Sequence, residues 1–260
     1  MRDIARQLRT DFGLLPDLVD EYTVHTPWDE ALRASRQVCG VSHYLSLMAT
    51  GEADMDKCAM FGVAITCIDE VTDELDETLH PEVIRSALRG DPEYEPLRIL
   101  PVASDLASSG RFDNAIMEIG KAQDLSMKQL GDIDKSLAVQ ITKRKGGWSA
   151  RANLAMFKSN IPPHEWSAVY DFGYLMQMLD DYLDQPKDNE NGLTTPYAFD
   201  RYGKNWLRRR IKTTRADTAA LWGKSRAHSR FFNICRAHRI LGKIENETPL
   251  SASWFAPGYL

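Results

Sequence analysis

The stretch Asp171–Pro196, DFGYLMQMLDDYLDQPKDNENGLTTP, narrows most sharply what this chain can become. Before and between Gln177, Asp180, Asp181 and Asp184 the apolar residues are Phe172, Leu175, Met176, Met178, Leu179 and Leu183. On a helix those four polar residues fall within about 100° of arc, with Asp180 and Asp184 one turn apart. A helix that is greasy elsewhere and carries three acids on one stripe is not an ordinary solvated helix. Carboxylates crowded beside a core repel one another and resist desolvation, which costs several kcal/mol, so a cation is expected. Oxygen-only donors select a hard ion, Mg²⁺ first. The plainer alternative is an acidic surface cluster, since acidic pairs are common.

The rest of the chain supplies helices to hold such a segment. Apolar residues recur with helical period, and no alternating strand pattern of useful length appears. The periodicity predicts helices over Arg2–Leu15, Trp28–Ala49, Asp54–Leu79, Pro81–Leu88, Leu97–Ser108, Phe112–Lys143, Gly147–Ser159, Pro163–Asp184, Tyr197–Thr213, Arg215–Trp222 and Lys224–Leu241. Thr26-Pro27, Asp91-Pro92, Ile161-Pro162-Pro163 and Gly192 punctuate them. No internal repeat or low-complexity linker is visible, so residues 1–260 read as one all-α domain. The aromatic tail SASWFAPGYL is expected to pack back on the domain, the alternative being contact with a greasy ligand.

Charge and cysteines exclude several classes. A net charge of -5 and a pI near 5.7 argue against nucleic acid as the main partner. Cys39, Cys58, Cys67 and Cys235 show neither CxxC nor CxxH spacing, which argues against a zinc site or a disulfide framework and for a reducing cytoplasm. The first residues, MRDIARQLRTDFG, lack the apolar core of a signal peptide. No apolar run approaches the ~18 residues that a membrane span requires.

A second acidic constellation closes Asp54–Leu79, DMDKCAMFGVAITCIDEVTDELDETL. Asp69, Asp73 and Asp76 are spaced four and three and share a stripe, with Glu70 about 100° round from Asp69. A core helix emerging into solvent would give the same pattern. Yet both acidic runs end apolar helices, where the macrodipole disfavours anions. Metals shared between two facing helices account for both.

Together these motifs resemble the trans-prenyltransferase branch of the all-α class I isoprenoid synthases. That family carries a first Asp-rich motif, a Lys-containing segment, and a second motif of the form FQxxDDxxD. Gln177, Asp180, Asp181, Asp184, Lys187, Asp188 and Gly192 fall in register with the second motif; Asp69-Glu70-Val71-Thr72-Asp73 looks like the first, with Glu70 in place of an Asp. Ile141-Thr142-Lys143-Arg144-Lys145-Gly146-Gly147 stands where the Lys segment belongs. The resemblance covers roughly Cys39 to Tyr202 and implies a farnesyl diphosphate synthase-like orthogonal helix bundle that works as a homodimer. It implies Mg²⁺ held by Asp69, Asp73, Asp180, Asp181 and Asp184, with Lys145 as a diphosphate contact and Gln177 beside it in the catalytic set. Lys187, Arg201 and Lys204 join the anion-binding candidates. Phe61, Ile65, Leu154, Phe157, Phe172 and Met176 are the candidate apolar walls for an allylic cation. No histidine is nominated as base, because released diphosphate can accept the final proton.

Departures from the family refine the expected substrates. Chain-elongating members place a Gly-Lys-Arg segment ahead of the first motif and an Arg pair after it, both for isopentenyl diphosphate. Here the first region reads WDEALRASRQVCG and the second ETLHPEVIRSALRG, with neither feature. The size and these losses resemble the prenyltransferases of moenomycin-type phosphoglycolipid biosynthesis, which join geranyl diphosphate to a farnesyl-phosphoglycerate acceptor. The partners expected are thus an allylic diphosphate donor and a lipid-like prenyl acceptor. A terpene cyclase acting on one allylic diphosphate, or a non-catalytic synthase subunit, remains as an alternative, the intact Asp180–Asp184 triad weighing against the subunit. A ferritin-like di-metal protein needs two ExxH motifs, and only Glu77–His80 provides one. The basic run Arg201–Arg215 suits an acceptor's phosphate or carboxylate, a peripheral contact with an anionic membrane, or plain solvent.

Overall fold

The positions of Pro, Gly and the apolar stripes translate into helices across the described residues. A computed structural model of the chain describes residues 29–54, 57, 58, 61, 62, 65, 113–199 and 202–245. Among these residues there is no strand, and the elements are α1 (Asp29–Thr50), α2 (Asp113–Ser126), a 3₁₀ turn (Met127–Leu130), α3 (Lys135–Phe157), α4 (Pro163–Leu183), α5 (Gln185–Glu190), a second 3₁₀ turn (Pro196–Ala198), α6 (Lys204–Trp222) and α7 (Arg226–Glu245). The fold class is all-α. No helix among the described residues is long and apolar enough to cross a membrane. The helices expected over Arg2–Leu15, Pro81–Leu88 and Leu97–Ser108, most of Asp54–Leu79, and the aromatic tail lie outside the described residues.

Backbone contacts divide the chain into two compact units. The first holds the described residues up to Gln123 together with Ala152–Ser159. Its core gathers Cys39, Tyr44, Leu45 and Met48 of α1 with Cys58, Phe61, Ile119, Ala122, Leu154 and Met156. Polar groups inside it are satisfied pairwise: Ser42 Oγ donates to Asn153 Oδ1 at 2.8 Å, and the Cys39 thiol donates to the Cys58 carbonyl at 3.1 Å.

The second unit holds Asp124–Arg151 and the described residues from Asn160 onward. Its organising element is α4, which packs against α5, α6, α7 and the second 3₁₀ turn. Pro163 opens α4 at a position where a missing N–H costs nothing. Val169, Phe172, Leu175, Met178 and Leu179 are buried along it. The Phe172 ring lies 5.1 Å from Phe231 of α7, and each such fully buried side chain contributes about 1.5–3 kcal/mol. Trp222 Nε1, at the end of α6, donates to the buried Glu165 carboxylate at 2.7 Å in the first turn of α4.

Three expected boundaries are corrected. Phe112–Lys143 is not one helix: α2 stops at Ser126, Gly131 is extended at φ -139°, and Asp134 restarts the chain by accepting from the Leu137 N–H at 2.8 Å. That break is held by Thr194, whose N–H donates to the Gln129 carbonyl at 2.7 Å. The gap expected between Lys143 and Gly147 is absent: Gly146-Gly147 lies inside α3, where α3 meets α4 without room for side chains. A Cβ at Gly146 would overlap the Gly173 carbonyl and reach within 2.8 Å of Gln177 Cβ; one at Gly173 would overlap the Gly146 carbonyl and come within 2.7 Å of Ala150 Cβ. Finally, Tyr197–Thr213 and Arg215–Trp222 are not separate helices. Tyr197 belongs to the second 3₁₀ turn, and α6 runs unbroken through Thr214 because Leu207, Ile211, Thr214 and Thr218 form its buried face. Packing overrides the weak helix propensity of the threonines.

Candidate active site

The last two turns of α4 carry the acidic stripe. Asp180 and Asp181 occupy the final turn and Asp184 is the C-cap, its N–H donating to the Asp180 carbonyl at 2.9 Å. No basic residue lies in that turn of α4, and the acids sit at the negative end of its dipole. The close α3–α4 contact at Gly146 and Gly173 brings α3 alongside. Thr142 Oγ1 donates to Asp181 Oδ2 at 2.8 Å. Gln177 Nε2 donates to Asp181 Oδ1 and Asp180 Oδ2, both at 3.1 Å, tying the two carboxylates together.

Burial decides the electrostatics. Asp181 is only 8% exposed, whereas Asp180 is exposed and Asp184 half-buried. Desolvation pushes the Asp181 carboxyl up to about 6, against the hydrogen bonds from Gln177 and Thr142 and the nearby Lys145 charge, while Asp184 pushes it further up. The chain then turns into α5 and brings back a fourth acid. Asp188 is pushed up to about 7 by desolvation and by Asp181 and Asp184, with Lys145 and Lys187 acting in the opposite direction. Lys145 thus acts on both Asp181 and Asp188, and Lys187 on Asp188. Behind them Tyr197 donates its hydroxyl to the Met178 carbonyl at 2.8 Å and tilts against Tyr182.

Lys145, Gln177, Asp180, Asp181 and Asp184 therefore fall in one neighbourhood of the second unit, with Lys187 at its edge, exposed on α5. Met176 is half-buried on α4. Phe172 is fully buried against Phe231 and belongs to the core of this unit. In the first unit Leu154 is fully buried, Phe61 is buried, and Ile65 and Phe157 are half-buried. Asp69, Asp73 and Arg201 lie outside the described residues. Thr142 and Asp188 were named within their motifs but not as site residues. Their signals are the three-residue spacing from Thr142 to Lys145 and the return of an acid four residues after Asp184.

No protein-family model matches the chain, and a search of the curated proteins finds no significant match.

The donor set suits a hard divalent cation: carboxylate oxygens only, with the Asp181 and Asp188 carboxyls raised by burial and crowding. Among the described residues no three acidic, histidine or cysteine side chains close a metal cage by themselves. Further donors would have to come from a bound phosphate or from outside these residues.

The raised carboxyls give a pH signature. Asp181 and Asp188 take up protons more readily folded than unfolded, so their contribution to stability is fully present below about pH 4 and is lost as pH rises through 6 to 7. For Asp181 the two-unit rise corresponds to on the order of 2–3 kcal/mol. Metal-free protein is expected to lose melting temperature between pH 5 and pH 8, and Mg²⁺ to restore more at pH 8 than at pH 5. Calorimetry with and without chelator checks this, and an equal Mg²⁺ effect at both pH values would contradict it.

Thr142→Val is expected to destabilise the metal-free protein at pH 8 by about 1–3 kcal/mol, since a buried carboxylate loses a charge-assisted hydrogen bond. The loss should shrink at pH 5, where Asp181 is largely protonated. Denaturant melts at the two pH values measure the difference.

Proposed function

We propose that the chain is a Mg²⁺-dependent prenyltransferase with an isoprenoid synthase-like fold, ionising an allylic diphosphate and passing the prenyl cation to a prenyl-lipid acceptor. The observation that carries this reading is the buried Asp181, gripped by Thr142 and Gln177 beside Asp180, Asp184 and Lys145 at the end of an apolar helix. Mg²⁺, when bound, supplies the Lewis acidity that neutralises a departing diphosphate. Asp180, Asp181 and Asp184 would hold it, with Asp69 and Asp73 as the complement expected from the sequence.

The chain's own residues do the rest. Gln177 and Thr142 fix the carboxylates so that they need not reorganise as charge develops. Lys145 and Lys187 add positive charge for the phosphate oxygens. In the transfer itself the donor's C–O bond breaks, its electron pair leaves with diphosphate, and a double bond of the acceptor supplies the pair for the new C–C bond. The proton then lost from the acceptor passes to diphosphate. Absence of the isopentenyl diphosphate elements points to a larger acceptor, and geranyl diphosphate with farnesyl-phosphoglycerate is the pair proposed, acting on a homodimer.

Mg²⁺-dependent diphosphate release, assayed across allylic donors with and without acceptors, tests this. Release that requires an acceptor supports transfer. Release from donor alone with a hydrocarbon or alcohol product would identify a cyclase instead. No release from any donor would overturn both.

A further inference from the structure

α6 carries a strongly basic surface, and apart from Lys204, a candidate anion contact, the proposed reaction makes no use of it. The helix carries Lys204, Arg208, Arg209, Arg210, Lys212 and Arg215 against a single acid, Asp217. Its buried face is spoken for by Leu207, Ile211, Thr214 and Thr218. Spacings of four, four and three place Lys204, Arg208, Lys212 and Arg215 in one row beside that buried face, about 85° round from it and about 16 Å long at 1.5 Å per residue, with Arg209 farther round toward solvent. Lys204, Arg208, Arg209 and Lys212 are exposed. Arg210 turns to α4, where it pairs with Asp171 at 2.6 Å and covers the Tyr174 ring. None of the four exposed cations forms an ion pair among the described residues, in a chain whose net charge is -5.

A row of like charges on a helix repels itself by a few tenths of a kcal/mol per i,i+4 pair, so folding alone does not call for it. At the start of α6, but on the far side of the helix from the row, Tyr202 and Trp206 are half-buried with their rings edge to face at 5.2 Å, and Lys135 sits over Tyr202 beside an open depression of about 430 Å³. An exposed row of cations on a helix surface matches the negative surface potential of an anionic lipid leaflet. Nucleic acid fits less well: single strands ask for exposed stacking platforms, and Tyr202 and Trp206 are half-buried against each other, with Trp206 also against Tyr174.

We infer that the Lys204–Lys212 face of α6 docks the protein on membranes containing anionic phospholipid. The inference stands on the charge pattern and holds whether or not the prenyl transfer proposed above is correct. The contact is electrostatic and peripheral, because the apolar face of α6 is already used by α4 and α7. The full chain is expected to sediment with vesicles of phosphatidylcholine mixed with phosphatidylglycerol, and not with phosphatidylcholine alone. Binding present at ~0.1 M salt should vanish near 1 M, where screening is complete within a few Å. Each cation is expected to contribute about fivefold, so Lys204→Ala/Arg208→Ala/Arg209→Ala/Lys212→Ala should lower vesicle affinity several hundredfold, while Arg208→Lys/Arg209→Lys should retain most of it. All four positions are exposed, so the circular dichroism and melting temperature of both variants should match the parent. Equal binding to neutral and anionic vesicles, salt-independent binding, or undiminished binding by the quadruple alanine variant would overturn the inference. So would tighter binding to a duplex or single-stranded oligonucleotide than to the anionic vesicles.

Discussion

Asp181→Asn is expected to lower Mg²⁺-dependent diphosphate release by about 10³-fold while leaving the metal-free protein at least as stable as the parent at pH 8. The two effects come from the same fact. Asp181 is buried, and keeping it ionised costs free energy that the Thr142 and Gln177 hydrogen bonds only partly offset. Asparagine keeps the size and an acceptor oxygen but removes the charge, so folding is relieved and cation binding is lost. The gain in melting temperature that Mg²⁺ gives the parent at pH 8 should disappear with the activity. A plain structural role for Asp181 predicts the reverse pattern, with stability falling and turnover per folded molecule unchanged. Near-parental activity in the Asn variant would remove Asp181 from the mechanism. The same assay on Asp69→Ala reports separately on the amino-terminal acidic run.

Gly173→Ala should be the most damaging small substitution in the second unit. Alanine is the better helix former by about 1 kcal/mol, yet its methyl would overlap the Gly146 carbonyl and crowd Ala150. Neither obstacle is the end of a flexible side chain, so α3 and α4 must separate along their contact. Overpacking of this kind costs about 3 kcal/mol or more, giving a net loss of roughly 2–4 kcal/mol and about 6–12 °C in melting temperature. Gly146→Ala should do similar harm and also press on Gln177 Cβ, loosening the clasp on Asp180 and Asp181. Gly131→Ala is the control: its φ of -139° suits any residue and its nearest neighbour is 3.9 Å away, so its effect should stay within about 0.5 kcal/mol. If Gly173→Ala melts with the parent, the two helices are not held at this contact.

The sequence made α4 easy to read because local chemistry alone sets its limits. Pro162 and Pro163 open it, and the apolar run gives way to Asp180, Asp181 and Asp184 at its end. Spacing alone also put Gln177 and three aspartates on one stripe. Other features depend on what the chain meets after folding. Gly146-Gly147 has the composition of a break, and only the backbone of α4 arriving opposite makes it the middle of a helix. The gap at Gly131–Asp134 carried its own signals, a glycine and a capping aspartate, but helical periodicity on either side masked them. Thr142 and Asp188 escaped for a related reason. One reaches Asp181 across the α3–α4 contact, a relation with no fixed separation in sequence, and the other returns through the turn at Asp184, where the four-residue spacing is local but the turn is not set by helical period alone.

The guanidinium of Arg151 lies 4.5 Å from the Tyr170 ring centre, 4.8 Å from Trp148 and 5.7 Å from Trp166, and its Nε donates to the Trp166 carbonyl. Indole emission is sensitive to a charge at that range, and the two indoles belong to the two helices whose contact frames the acidic cluster. The molecule therefore carries a built-in optical gauge: any ligand that shifts α3 against α4 should change its intrinsic fluorescence, with no label attached.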